Sequence, residues 1–197
     1  MDNIKDSPYA KLVGDAAAYR LFSLVFQPPH PDLPAQIAAL GREVRGPVAE
    51  LPKACGSMDM EEYHFILGPA GGCSPCESEY LGDKLGGKGS LMADVAGFYD
   101  AFSFPRDADT QERVDHIAVE LSFMSFLLLK TAYAAHRGNA PGVNVCADAG
   151  VKFAKTHLLP WLNPFRERLD TVAPGSFYAR AATVMCGCLP DGFGTGD

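Results

Sequence analysis

Between Leu121 and Leu129 the only polar residues are Ser122 and Ser125, so a helix through this stretch presents apolar side chains all round and reserves no face for water. A chain carrying such a segment has to wrap other elements around it. The turn before it has the opposite character. Asp115 stands where it can cap the orphan amides of the helix, His116 follows, and Glu120 lies one turn beyond His116 on nearly the same face. The segment from Val114 to Lys130 therefore reads as a central buried helix with a polar cluster at its mouth. Its apolar run is much shorter than the roughly 20 residues a membrane span needs, so no stable membrane insertion is expected.

The flanking chain supplies helical partners. Leu12, Ala16 and Tyr19, with Val13, Ala17, Leu21 and Leu24, form a wide apolar face that ends at Pro28-Pro29. Asp32 and Pro34 open a short helix carrying Ile37, Ala38 and Leu40. Asp59 with Glu62 resembles a capping box for a helix through Tyr63, Phe65, Ile66 and Leu67. A long glycine-rich loop follows from Gly68 to Tyr80 and on through Gly89, a length that is usually functional or mobile. Ser90 offers a cap for a helix carrying Leu91, Val95, Phe98, Tyr99 and Phe102. After a break at Gly138–Gly142, helical spacing resumes from Val145 to His157, Pro160 interrupts it, Asn163-Pro164 opens a short helix, and Pro174-Gly175-Ser176 introduces the last. Alternating strand patterns are essentially absent. The spacing predicts an all-α, single-domain bundle over residues 1–197, of about eight to ten helices around a central buried helix, with a frayed tail after about residue 190.

A length of 197 residues at 47% hydrophobic composition suits one domain with a core of its own. Seventeen basic against 24 acidic residues give a net charge of −7, which argues against a general nucleic-acid binder. The first residues, Met1 to Asp6, contain no basic segment followed by an apolar one and so no secretory signal; a cytoplasmic protein is expected. Six cysteines are too few for a disulfide scaffold and most are expected to be free thiols.

Two constellations invite chemistry. Cys73 and Cys76 form a lone C-x-x-C, suited to a disulfide or half a zinc site, but the complement is missing: Cys186 and Cys188 lie far along the chain at a tighter spacing. Asp115, His116 and Glu120 could converge as a hydrolytic metal centre, although the second histidine of H-E-x-x-H is absent and no nucleophile accompanies them. A structural role for these three is an equal reading, since charges near a core are normally paired. His157 and Trp161, extended by Phe153 and Phe165, are most simply aromatic core packing. His30, His64 and His136 have no evident partner.

Taken in order, several segments resemble the TorD/DmsD/NarJ family of cytoplasmic chaperones that mature molybdenum-containing oxidoreductases. They are Tyr19-Arg20-Leu21-Phe22 with Pro28-Pro29, Tyr63 to Gly68-Pro69, and Pro75-x-Glu77-Ser78-x-Tyr80. Asp115-His116-Ile117-x-x-Glu120-Leu121-x-Phe123-Met124 and Phe153-x-x-x-His157-Leu158-x-x-Trp161-x-x-x-Phe165 complete the set. The resemblance implies a helical binding protein rather than an enzyme, without a cofactor of its own. Its partner would be an apo-molybdoenzyme catalytic subunit, bound at an N-terminal twin-arginine signal peptide until its cofactor is inserted. By the same resemblance Asp115, His116, Glu77, Ser78 and Tyr80 would contact the client, and Glu120, His157 and Trp161 would support them. Carboxylates at Asp115, Glu77 and Glu79 are suited to guanidinium groups, and the acidic surface to the encounter. Two departures mark this chain: Cys76 where relatives often carry an aromatic residue, and Arg113-Val114 where they carry an acidic, proline-rich approach. A thiol-redox or metal-binding role through Cys73 and Cys76 is the alternative, and exchange of elements into a homodimer is compatible with the long loop.

Overall fold

The computed structural model describes residues 9–54, 58–83, 86–105 and 112–189. Ten α-helical segments run in chain order: α1 (Ala10–Val25), α2 (Leu33–Leu40), α3 (Leu51–Ala54), α4 (Met60–Leu67), α5 (Ser78–Leu81), α6 (Lys88–Ala101), α7 (Ile117–His136), α8 (Ala140–Phe153), α9 (Leu159–Val172) and α10 (Phe177–Cys188). A 3-10 turn, Gly46–Glu50, precedes α3, and a π-helical turn, Ala154–Leu158, joins α8 to α9. No strand occurs among the described residues, only one isolated bridge pair. The all-α expectation is met; the tail after residue 190 lies outside the described residues.

The central helix is α7, and its apolar body is buried as its sequence requires: Leu121, Phe123, Met124 and Leu127 are without solvent contact. Helix α1 lies along it. The two serines that interrupt the apolar run both belong to this contact: Ser125 Oγ donates to the Ala16 carbonyl at 2.8 Å, and Ser122 Oγ accepts from Arg20 Nη1 at 3.1 Å. Ser23 returns the favour from α1, donating to the Ala118 carbonyl at 2.7 Å. Each polar group is thus paired across the seam, and none is buried at the full cost of lost hydration.

On its other side α7 meets α8, which doubles back after Gly138 at φ 67° and a cap from the Asn139 side chain to the Gly142 N–H. Aromatic rings fill the space between α6, α7 and α8. Phe123 touches Tyr99 at 4.8 Å, Phe153 at 4.9 Å and Phe104 at 5.3 Å between centroids. Removing such a ring costs about 3–5 kcal/mol, so this cluster sets the position of α6 against α7. By length and composition Ile117–His136 could cross a membrane, but 67% of its apolar window is buried inside the protein, as befits a core helix.

Several boundaries differ from the sequence reading: α5 lies within the stretch expected to be loop, α7 runs on past Lys130 to His136, α8 already begins at Ala140, and two further helix starts move. Helix α6 begins at Lys88 behind Gly87, whose φ of 101° makes the turn, so Ser90 lies inside the helix and does not cap it. Pro160 does not break the chain and Asn163 does not open a new helix: α9 runs unbroken through Pro164. The π turn accounts for Pro160. The Leu159 N–H reaches back five residues to the Ala154 carbonyl, and Pro160, which has no N–H to give, enters at the first turn of α9 where none is needed.

Candidate functional site

The glycine-rich loop is tied to the mouth of α7. After α4 the chain turns so tightly that a Cβ on Gly71 would lie 2.5 Å from the Ile66 carbonyl oxygen, a turn only glycine makes without displacement. The loop then runs antiparallel to the approach to α7. Glu77 N–H donates to the Asp115 carbonyl and Ile117 N–H to the Pro75 carbonyl, both at 2.8 Å, with Cys76 opposite His116. This short clasp brings Glu77, Ser78, Asp115, His116 and Glu120 into one neighbourhood.

Asp115 is fully buried, yet it does not cap α7. Its Oδ2 accepts the Ser78 N–H at 3.0 Å, and its two oxygens take a fork from Arg113, Nε to Oδ1 at 3.0 Å and Nη2 to Oδ2 at 2.9 Å. The cap is His116, whose Nδ1 accepts the Ala118 N–H at 3.1 Å. With Nδ1 accepting, the neutral ring carries its proton on Nε2, which lies 3.3 Å from the Glu112 carboxylate but without hydrogen-bond alignment. Burial pushes the His116 pKa down to about 4, against the attraction of Asp115, so the imidazole stays neutral in its role as a cap.

Behind the clasp lies a second buried polar layer. His157, held in the π turn, faces Glu77 through Nδ1 at 3.1 Å and Asp94 through Nε2 at 3.1 Å. Both partners are carboxylates, so only the doubly protonated ring donates to both. Glu120 receives the indole Nε1–H of Trp161 at 3.2 Å on Oε2. Complete burial and the neighbouring Glu77 charge hold the Glu120 carboxyl well above the usual carboxylate range. Its other oxygen has no donor among the groups around it, which suits a protonated Glu120 donating to Glu77. Tyr80 closes the layer by stacking on Trp161, with ring centroids 5.3 Å apart, and donating to the Ser74 carbonyl at 2.8 Å.

The sequence-derived candidates are therefore brought together, with Glu77, Ser78, Asp115 and His116 beneath the surface and Tyr80 half-buried. The exposed rim joins Glu79, which the sequence offered as a guanidinium partner, to groups that sequence reasoning did not single out as a site: Arg113, Lys88 and Asp94. Lys88 Nζ bonds Glu79 Oε2 at 2.6 Å, and Arg113 Nη1 lies 3.5 Å from Glu79 Oε1. The candidate carboxylates are not vacant: Asp115 faces Arg113, Glu79 faces Lys88 and Arg113, and Glu77 faces His157. Arg113, two residues from Asp115, sits at a spacing that no helical rule pairs; only the clasp makes the connection meaningful.

The two chemical alternatives receive different geometry. Cys73 and Cys76 are buried free thiols, with burial pushing their pKa values up to about 11 and about 12, the reverse of an activated thiolate. Cys186 turns to the Leu162 carbonyl. Asp115, His116 and Glu120 each have separate partners, and among the described residues no three His, Cys, Asp or Glu side chains gather as a metal site would require. His157 and Trp161 do pack aromatically, each touching the next ring at Phe153 and Phe165, but both also carry the polar contacts above.

The sequence of residues 61–167 matches the family described as nitrate reductase delta subunit. Over 174 residues the chain is 28% identical to the chlorate reductase assembly chaperone protein of Ideonella dechloratans, covering 86% of this chain and 82% of that one. It is 27% identical over 187 residues to the selenate reductase assembly chaperone protein of Thauera selenatis, covering 94% and 89% respectively. Among solved structures, one described as a candidate redox enzyme maturation protein from Archaeoglobus fulgidus superposes with a TM-score of 0.59 at 18% identity, over 96% of this chain and 99% of that one. That likeness concerns the fold.

Proposed function

Because the chain belongs to the nitrate reductase delta subunit family, a family of chaperones for the maturation of molybdoenzymes, we propose that it holds the catalytic subunit of a molybdenum-containing oxidoreductase before its cofactor is inserted. It is an assembly chaperone and not an enzyme. In this reading it acts in the cytoplasm, as one domain, and engages the N-terminal twin-arginine signal peptide of its client, delaying export until assembly is complete.

The observation that carries the reading is the clasp: a fully buried carboxylate, Asp115, that reaches the surface only through a guanidinium group. An arginine of the client would be received there in the same bidentate geometry. Glu79 at the rim supplies a second negative charge. The Met92 sulfur lies 3.6 Å from Arg113 Nη2 and borders the same position. His116, Glu77 and Ser78 position the clasp from below, Tyr80 lines its side, and Glu120, His157 and Trp161 support it. The net charge of −7 favours encounter with a basic segment.

The test is titration calorimetry with a synthetic twin-arginine signal peptide of a molybdenum-containing oxidoreductase. Saturable binding is expected, weakened in Asp115→Ala and in His116→Ala. Unchanged affinity in both variants, with their helical content intact, removes the assignment of this site.

A further inference from the structure

We infer that Arg113 is an internal occupant of the guanidinium-binding clasp, which has to swing out before a client arginine enters. This rests on the reading of Asp115 as the receiving carboxylate and says how that site is controlled. Arg113 gives Asp115 the two-point fork at 3.0 and 2.9 Å that an incoming arginine would give, and its Nη2 also meets Ser78 Oγ at 2.5 Å. The acceptors are buried, Asp115 at 0% side-chain exposure, whereas Arg113 is 43% exposed. Among the described residues its other side-chain partners, Glu79 and Met92, are at the surface. Rotation of one side chain is enough to vacate the position; no helix has to move.

An aspartate this deep is costly to leave without a cation, so the clasp favours holding one guanidinium or another. Exchange of one for the other conserves the buried ion pair while transferring it from the chain to the client. An ammonium group lacks the planar fork and replaces it poorly. Competition from within lowers apparent affinity by the fraction of molecules in which Arg113 has left; if that is about 10–20%, removing the competitor tightens binding about 5–10-fold.

The experiment uses the full chain as Arg113→Ala, with Arg113→Lys as a second variant that keeps a cation beside Asp115 and loses the fork. Circular dichroism checks folding. Two probes are applied: methylguanidinium against methylammonium in thermal melts, and a synthetic peptide with two adjacent arginines before an apolar stretch in calorimetry. Millimolar methylguanidinium is expected to raise the melting temperature of Arg113→Ala towards that of the wild type, with methylammonium ineffective and the wild type indifferent to both. The peptide is expected to bind Arg113→Ala about 5–10-fold, and Arg113→Lys measurably, more tightly than the wild type. Should Arg113→Ala not fold, the tighter binding by Arg113→Lys decides. Peptide affinity equal in the wild type and both variants, but lost in Asp115→Ala, overturns the internal occupant and leaves the client reading standing. Rescue by methylguanidinium without peptide binding by any form leaves the exchangeable clasp standing and removes the signal peptide as its ligand.

Discussion

Trp161 donates its indole N–H to Glu120 across the interior, 3.2 Å from Nε1 to Oε2, and so pins a carboxyl of the central helix to α9. Because burial and Glu77 hold that carboxyl far above its ordinary range, the folded protein keeps a proton there that the unfolded chain releases. The native state thus binds more protons than the unfolded state above the ordinary carboxyl pKa of about 4.3, and stability falls as pH rises from that value towards the folded pKa.

Glu120→Gln carries a permanent amide in place of the protonated acid and is expected to flatten this part of the pH dependence. Urea denaturation at pH 5 and pH 8 measures it: the wild type should lose more stability than Glu120→Gln over that interval. Glu120→Ala, which leaves the Trp161 N–H unpaired beside a void, should cost about 2–4 kcal/mol at pH 5 and less at pH 8, where the wild type has lost part of what its protonated carboxyl contributes. Equal slopes for wild type and Glu120→Gln would refute the protonated carboxyl.

His116 acts in the opposite direction. Its pKa is pushed down to about 4, so the unfolded chain takes up a proton first as pH falls. Stability from this group is present above the ordinary value of about 6.5 and is lost between there and about 4, on the order of 3 kcal/mol in all. His116→Asn retains a side-chain acceptor for the Ala118 N–H and does not titrate; its stability should hold better on acidification. His116→Ala loses the cap and should cost about 1 kcal/mol at pH 7. Denaturation midpoints at pH 7 and pH 5 separate the two.

The buried thiols of Cys73 and Cys76 should resist alkylation in the native state at pH 7.5, reacting only when the protein is unfolded in urea. Mass spectrometry after iodoacetamide pulses reads each site. Rapid native labelling at Cys73 or Cys76, or a disulfide between them after mild oxidation, would favour the thiol-redox alternative.

Gly71→Ala places a methyl group against the Ile66 carbonyl oxygen, a backbone atom that cannot step aside cheaply. A loss of about 1–3 kcal/mol is expected, together with weaker peptide binding, because the loop it turns carries Glu77 and Ser78. Wild-type stability and affinity in this variant would show that the turn tolerates a side chain.

The elements governed by neighbours in sequence were legible. Asp59 accepts the Glu62 N–H as its spacing predicts, the last helix starts behind Pro174-Gly175-Ser176, and the wide apolar face of α1 meets the apolar run of α7. What local rules could not read was the assignment of partners. Asp115 is a better cap than His116 by residue preference, but a loop residue 37 positions away, Ser78, and the Arg113 fork claim its oxygens. His157 falls on the aromatic stripe its spacing indicates, yet its carboxylate partners lie 80 and 63 positions upstream, which no periodicity encodes. Pro160 misleads for a related reason: the π turn before it alters the hydrogen-bond register, and a wide turn leaves no signature in hydrophobic spacing.

The clasp also has a kinetic meaning. Its backbone bonds join Pro75 and Glu77 to Ile117 and Asp115, with the whole of α6 in the intervening ring of chain. Closing that ring costs entropy before any contact repays it, whereas α7 and α8 meet across a turn of a few residues. The hairpin should therefore be in place while the recognition site is still open. A nascent or partly unfolded chain would then expose its helices without displaying a finished site, and the ability to capture a client would arrive only with the final closure.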